Sequence, residues 1–389
     1  MIRPKDLVIS TMMCKRCAAC FRRPYTVCPI YEEFGRIPPF SPPSIIFLGS
    51  TILFKQMKAS SELAVIPYAC TLCGSCSANC GQFLLHLRWE TPARLFEGIR
   101  SLFIEEGAVP AKISEVLNNL AKFGNAWGLS LSSRTAWEKD LNIEVPEYTS
   151  EKEYLLFVGD AAFIDEAKPA IRSLVSLLSA AGMSFGTLKE REVDSGDMAR
   201  ELGEYGLFEE LARKNIETFT KHRVKKIITV SPHDYNTFVI DYLRLGFKAE
   251  VYHYAQLLDQ LISGKKLRPV KSVTETITYH DPCFLGRYHG IFDSPRRIIK
   301  AIPGANLVEM ERKGRYAFCC GGGGGRMWYD PQEPTRTRIS NIRVNQARNV
   351  GAKVIVTACP YCKSMLLASD NLGEINIKDL AEILAASCL

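Results

Sequence analysis

From residue 91 onward, apolar side chains recur with the period of a helix. Leu95, Phe96, Ile99, Leu102 and Phe103 share one face, Thr91 and Pro92 supply an N-cap and first turn, and Gly107 marks the end. This helical style runs to about Leu141 and gives way to a polar, proline-containing stretch, Asn142 to Glu153. The pattern then changes to strand–helix alternation. Tyr154 to Val158 reads as a buried strand, and Ile164, Ala167, Ile171, Leu174 and Leu178 as the inner face of the following helix, closed by Gly182. Ile227 to Val230 and Lys353 to Thr357 are further short strands that run into proline-containing turns. Such alternation predicts an α/β fold with short parallel sheets, preceded by an α-helical domain. Ile45 to Phe54 is the longest apolar run; it reads as a buried helix or strand in preference to a docking surface.

The α/β region contains an internal repeat. Lys226 to Pro232 (KIITVSP) parallels Val354 to Pro360 (VIVTACP), and a helix at His253 to Leu261 parallels one at Asp379 to Ala386. The alignment sets Asp160 opposite Cys283, Asp194 and Ser195 opposite Cys319 and Cys320, and Ser231 and Asp234 opposite Cys359 and Cys362. Residues 1–148, 149–268 and 269–389 are therefore expected as a helical domain, a cysteine-free repeat and a cysteine-rich repeat.

With 389 residues and 47% apolar content, the chain can bury a sizeable core in two or three domains. No run approaches the ~18 to 20 apolar residues that cross a bilayer. The net charge of +7 is spread along the chain, so nucleic-acid binding has no support. Lys15, Arg16, Arg22 and Arg23 crowd the first cysteine run, where they would offset negative charge or meet an acidic partner.

Cysteine spacing carries the chemistry. Cys14, Cys17, Cys20 and Cys28 form one ferredoxin-like quartet and Cys70, Cys73, Cys76 and Cys80 another; the second follows the CxxCxxCxxxC run, and the first has a longer final gap. In two-cluster ferredoxins the fourth cysteine of each run serves the other cluster, so the expected sets are Cys14, Cys17, Cys20, Cys80 and Cys70, Cys73, Cys76, Cys28. A structural zinc site uses paired knuckles and would leave thiolates unused. Disulfide frameworks belong to small secreted domains, and the sequence opens with no apolar leader, so a reducing, cytoplasmic setting is expected. Cys283, Cys319, Cys320, Cys359 and Cys362 complete the pattern as C, CCG and CPYC. Adjacent Cys319 and Cys320 suit a site with several irons better than one small tetrahedral ion. The Gly321 to Gly325 run would let the backbone approach such a site and donate N–H groups; it lacks the ending of a phosphate loop, and Arg326 spoils a dinucleotide fingerprint. His280, Asp281 and His289 lie near these cysteines, and His280 is the candidate catalytic residue against a structural alternative. Cys388 reads as a spare thiol.

HDPCFLGRYHG at His280 to Gly290, CCGGGGGRMW at Cys319 to Trp328, ACPYCKSML at Ala358 to Leu366 and the paired ferredoxin runs resemble the heterodisulfide reductase D-like, CCG-domain iron–sulfur family. Its relatives include the iron–sulfur subunits of anaerobic glycerol-3-phosphate dehydrogenase, glycolate oxidase and lactate-utilisation systems. The resemblance covers nearly the whole chain and implies two [4Fe–4S] cubanes plus a CCG-type, non-cubane [4Fe–4S] centre held by Cys283, Cys319, Cys320, Cys359 and Cys362. Members with two complete CCG repeats can pair two such centres on one disulfide; here one repeat lacks its cysteines. The expectation is an electron-transfer subunit between a flavin-containing dehydrogenase or electron-transfer flavoprotein and a membrane quinone-reactive subunit. The alternative is a thiol/disulfide reductase acting at the single CCG centre. Asp160, Asp194 and Asp234 could suit a hard cation, although decay to ordinary polar residues is the reading favoured.

Overall fold

The computed structural model describes residues 28–80, 92–139, 141–331 and 336–389, together with Thr11, Cys14 and Cys20. Cys17 and the cations Lys15, Arg16, Arg22 and Arg23 lie outside the described residues, as does Thr91.

Helices α1 (Pro42–Leu53), α2 (Ser61–Ala69), α3 (Pro92–Glu105) and α4 (Ala111–Phe123) build the N-terminal region. The apolar stripe of α3 is buried at Leu95, Phe96, Ile99 and Phe103, as its period requires. Helix α1 crosses it at close range, since a Cβ on Gly49 would lie 2.5 Å from the Ile99 side chain. The apolar run thus resolves as a helix with Ile45, Ile46 and Ile52 buried and Phe47 exposed, Phe54 lying exposed just beyond its end. Among the described residues, no helix is long and apolar enough to cross a membrane.

Two four-stranded parallel sheets follow. Strands β1 (Tyr154–Phe157), β2 (Phe185–Gly186), β3 (Lys226–Thr229) and β4 (Glu250–His253) lie in the order β2-β1-β3-β4; β5 (Thr276–Tyr279), β6 (Asn306–Leu307), β7 (Val354–Thr357) and β8 (Asn376–Asp379) lie in the order β6-β5-β7-β8. The internal repeat is therefore a repeat of topology. The main layer helices are α5 (Lys168–Ala180), α6 (Tyr205–Lys221), α7 (Tyr254–Ser263), α8 (Asp293–Ala301), α9 (Ile339–Asn349), α10 (Pro360–Leu367) and α11 (Leu380–Cys388). Ile164, an extended residue between two tight 3-10 turns, and Ala167, the end of the second, precede α5 and are not part of its face; α5 begins at Lys168, where Pro169 fixes the first-turn φ. Helices α7 and α11 each begin with a capping box, His253 with Gln256 and Asp379 with Glu382. The halves also touch there: Tyr254 Oη donates to the Asp379 carboxylate at 2.7 and 2.9 Å.

Candidate functional site

Every aligned site position falls beyond the carboxyl end of a strand, in the connecting segment or in the first turn of the helix that follows, where parallel sheets place their ligands. Cys283 follows β5, Cys359 and Cys362 follow β7, and Cys319 and Cys320 lie in the intervening loop; all five are buried. Their thiols are neighbours in one continuous series, Cys283 to Cys319 to Cys320 to Cys362 to Cys359, each influencing the ionisation of the next. Backbone N–H groups aim at the same sulfurs, Gly321 to Cys319 at 3.3 Å, Gly322 to Cys320 at 3.4 Å and Cys362 to Cys359 at 3.5 Å. These bonds divide the thiols. Hydrogen bonding from Cys319 draws Cys320 well below the usual thiol range, while burial pushes Cys362 up. Burial also acts against ionisation of Cys359, yet bonds from Cys362 and His233 bring it down to about 6.

The glycine run does two jobs. Gly321 and Gly322 face the sulfurs, whereas Gly323 and Gly324 let the loop press on the second ferredoxin-like run: a Cβ at Gly323 would meet the Thr71 carbonyl at 2.4 Å, and one at Gly324 the Cys70 carbonyl at 2.5 Å. Arg100 locks this junction, donating to the Cys70 carbonyl at 2.6 Å and the Gly324 carbonyl at 3.1 Å.

The second run meets Cys28 across a small cavity of about 10 Å³, lined by Cys28, Cys70, Cys73 and Cys76 with Ile45 and Phe96. Burial pushes Cys28 and Cys76 up, and Cys70 to about 12, so as free thiols they keep their protons; binding a cationic iron core would release them. Cys14, Cys20 and Cys80 are half-buried, and Cys20 lies close enough to Cys76 to influence its charge. The sulfur donors, the apolar walls and the N–H groups fit iron–sulfur clusters in both places.

The two thiol groups touch. Cys73 lies beside Cys319 and Cys283, close enough for the three thiols to shift one another's ionisation. Cys319 also donates to Thr71 Oγ1 at 3.5 Å. Arg287 spans the boundary: its Nε donates to the Cys73 carbonyl at 2.7 Å, its Nη2 is buried without a hydrogen-bond partner, and the thiols of Cys73, Cys283 and Cys319 hold its charge against the cost of burial. Tyr288 Oη fastens the same strip through the Leu72 carbonyl at 2.6 Å.

The three polar candidates separate. His280 lies with one ring nitrogen within 4.8 Å of the Cys320 and Cys362 sulfurs; its Nδ1 accepts from Arg343 Nε at 3.0 Å, and burial with Arg343 holds its pKa well below the usual histidine value. Asp281 turns to Arg296, at 2.6 and 2.9 Å, and to the Gly314 N–H. His289 pairs with Asn236 at 3.0 Å, and burial lowers it to about 4.

In the other half, Asp160, Asp194, Ser195, Ser231 and Asp234 are buried at the matching positions. Asp160 accepts from the Ala126 N–H at 2.9 Å and Arg134 at 3.2 Å and bonds Asp194; Ser195 donates to Asp234 at 2.6 Å. Glu192 completes the set, accepting from the Gly159 N–H at 2.7 Å and Arg134 at 3.3 Å. Burial raises the pKa of all three aspartates, so they share protons within a closed polar network. Sequence reasoning missed His233, Glu201 and Arg287. The first had a signal, because Ser231-Pro232-His233-Asp234 occupies the CPYC position of its repeat.

Residues 158–238 and 277–367 match the model of the CCG cysteine-rich domain, and residues 10–84 that of a 4Fe-4S dicluster domain. The chain is 40% identical over 334 residues to a probable iron-sulfur-binding oxidoreductase, FadF, of Bacillus subtilis, covering 83% of this chain and 46% of that protein. It is 36% identical over 330 residues to the EtfAB:quinone oxidoreductase of Syntrophomonas wolfei, covering 81% and 45%. Identity to the D-type subunit of the dihydromethanophenazine:CoB–CoM heterodisulfide reductase of Methanosarcina barkeri is 29% over 396 residues, covering 96% and 92%. The chain spans just under half the length of the first two relatives.

Proposed function

The chain belongs to the CCG-domain iron–sulfur proteins of the heterodisulfide reductase D-like family, and from that premise we propose that it is the electron-transfer unit of an oxidoreductase. It takes electrons from a flavin-containing dehydrogenase or electron-transfer flavoprotein and delivers them toward a quinone-reactive membrane partner. The name of the Syntrophomonas relative supports both partners. One cubane is held by Cys28, Cys70, Cys73 and Cys76, the other by Cys14, Cys17, Cys20 and Cys80, and the CCG centre by Cys283, Cys319, Cys320, Cys359 and Cys362. Bound clusters supply one-electron transfer. The protein's own residues bury the Cys28 set and the CCG set side by side, and Arg287 offsets their charge.

The observation that carries this reading is the adjacency of the two thiol sets: Cys319 donates to Thr71 Oγ1 at 3.5 Å in the second ferredoxin-like run, and Cys73 of that run lies near enough to shift its ionisation. His233 of one repeat and Tyr361 of the other meet edge to face, with ring centroids 4.9 Å apart. EPR of the anaerobic holo-protein, reduced by an electron-transfer flavoprotein and separately mixed with thiols when oxidised, tests the assignment. Cluster reduction by the flavoprotein with no thiol-dependent signal is expected. A thiol-dependent signal that Cys319→Ser abolishes would instead assign disulfide reduction to the CCG centre.

A further inference from the structure

The cysteine-free repeat sends one side chain into the thiol cluster of its partner repeat. His233, only 4% exposed, lies at the position that Tyr361 holds in the CPYC turn, and its ring stacks on Phe284 at 4.1 Å and meets the edge of Tyr361 at 4.9 Å. Nδ1 lies 3.1 Å from Asp197 Oδ2 and 3.0 Å from Glu201 Oε1. The same ring lies beside Cys359, close enough for each to influence the other's charge. With two carboxylates at Nδ1, the group left to reach the sulfur is the Nε2–H.

The two carboxylates are themselves fixed. Asp197 accepts from Arg200 at 2.6 Å and Thr237 at 3.0 Å, and the second oxygen of Glu201 accepts from the Gly324 N–H at 2.7 Å. Glu201 therefore ties the imidazole to the glycine loop that carries Cys319 and Cys320. Asp197, Glu201 and His233 also have the spacing of a metal site, with ligand atoms within 4.8 Å of one another. Arg200 and the Gly324 N–H occupy the remaining carboxylate oxygens, however, so an ordinary hydrogen-bonded imidazole accounts for the trio.

We propose that His233 is a positioning residue of the CCG centre: its Nε2–H donates to the Cys359 sulfur, raises the reduction potential of the cluster, and makes the cysteine-free repeat the outer shell of that centre. Hydrogen bonds to cluster sulfurs favour the reduced, more negative state, and outer partners that orient a ligand tune its metal. The repeat without cysteines has thus exchanged a cluster for control over its neighbour's. This inference rests on the proposed CCG cluster.

EPR-monitored redox titration of the anaerobic holo-protein tests it, with iron and sulfide measured in every sample and the CCG signal identified as the one absent in Cys320→Ser. His233→Leu is expected to keep the cluster and shift its midpoint to a more negative potential. His233→Gln, which retains an N–H donor, should shift it less. Deuterium exchange followed by ENDOR should remove a proton coupling in the wild type that His233→Leu already lacks. A lower melting temperature with an unchanged midpoint would mean a merely structural role and would overturn the proposal. If His233→Leu loses the cluster, Glu201→Gln decides, since Glu201 bonds the imidazole and the loop backbone: a negative shift supports the proposal, and an unchanged midpoint overturns it. Absence of any CCG signal from the wild type would instead overturn the functional assignment, and this inference with it.

Discussion

The two CCG repeats have one topology and opposite chemistry. Both order their strands identically, both start a helix with a capping box after the fourth strand, and both turn their functional residues outward from the same strand ends. One places five neighbouring thiols there; the other places carboxyls and hydroxyls closed by Arg134. The topology therefore does not itself require the five thiols. A buried polar network satisfies the second half because every carboxyl in it has found a partner or a proton, which is what burial demands.

The largest effect that would sharpen this contrast is on metal content. Cys320→Ser should remove the iron and sulfide of one of the three proposed clusters, while Asp160→Asn at the cysteine-free end should leave iron content unchanged; iron loss in Asp160→Asn would break the comparison. Next comes stability. Arg134→Leu strands Asp160 and Glu192 in the interior and should cost about 3–5 kcal/mol in denaturant unfolding, with cluster EPR signals intact in the folded protein.

A pH dependence comes next. Burial raises Glu192 from 4.5 to about 7 in the folded state, with Arg134 opposing. The folded protein then holds a proton that the unfolded chain has released. The associated stability is fully present below pH 4.5 and is lost as pH rises to about 7. Glu192→Gln should flatten that decline by on the order of 3 kcal/mol, measured as unfolding free energy against pH. A decline unchanged in the variant would mean that Glu192 does not carry it.

Much of the fold was legible because it rests on local periodicity. The α3 stripe, the strands and the parallel between KIITVSP and VIVTACP are short-range patterns, and each reappears as an element. Boundaries were less so: Ile164 and Ala167 fit the period of α5 but fall ahead of it, because Pro169 fixes where the helix starts. Polar residues near the cysteines were the hardest to sort. His280, Asp281 and His289 are close in sequence, yet only His280 faces the sulfurs, while Asp281 holds Arg296 and His289 holds Asn236.

By itself the sequence determined the donor types, their spacing and the twofold repetition, since the ability to ligate iron belongs to residue chemistry and the strand period to neighbouring residues. Tertiary structure alone decided which groups meet. Cys73 reaches Cys319, far away in the chain, because glycines at 323 and 324 remove the side chains that would hold the two loops apart. His233 comes beside Cys359 because the turns after β3 and β5 pack together, His233 stacking on Phe284 at 4.1 Å. Such contacts depend on the docking of whole domains, a long-range packing choice that no local pattern of residues encodes.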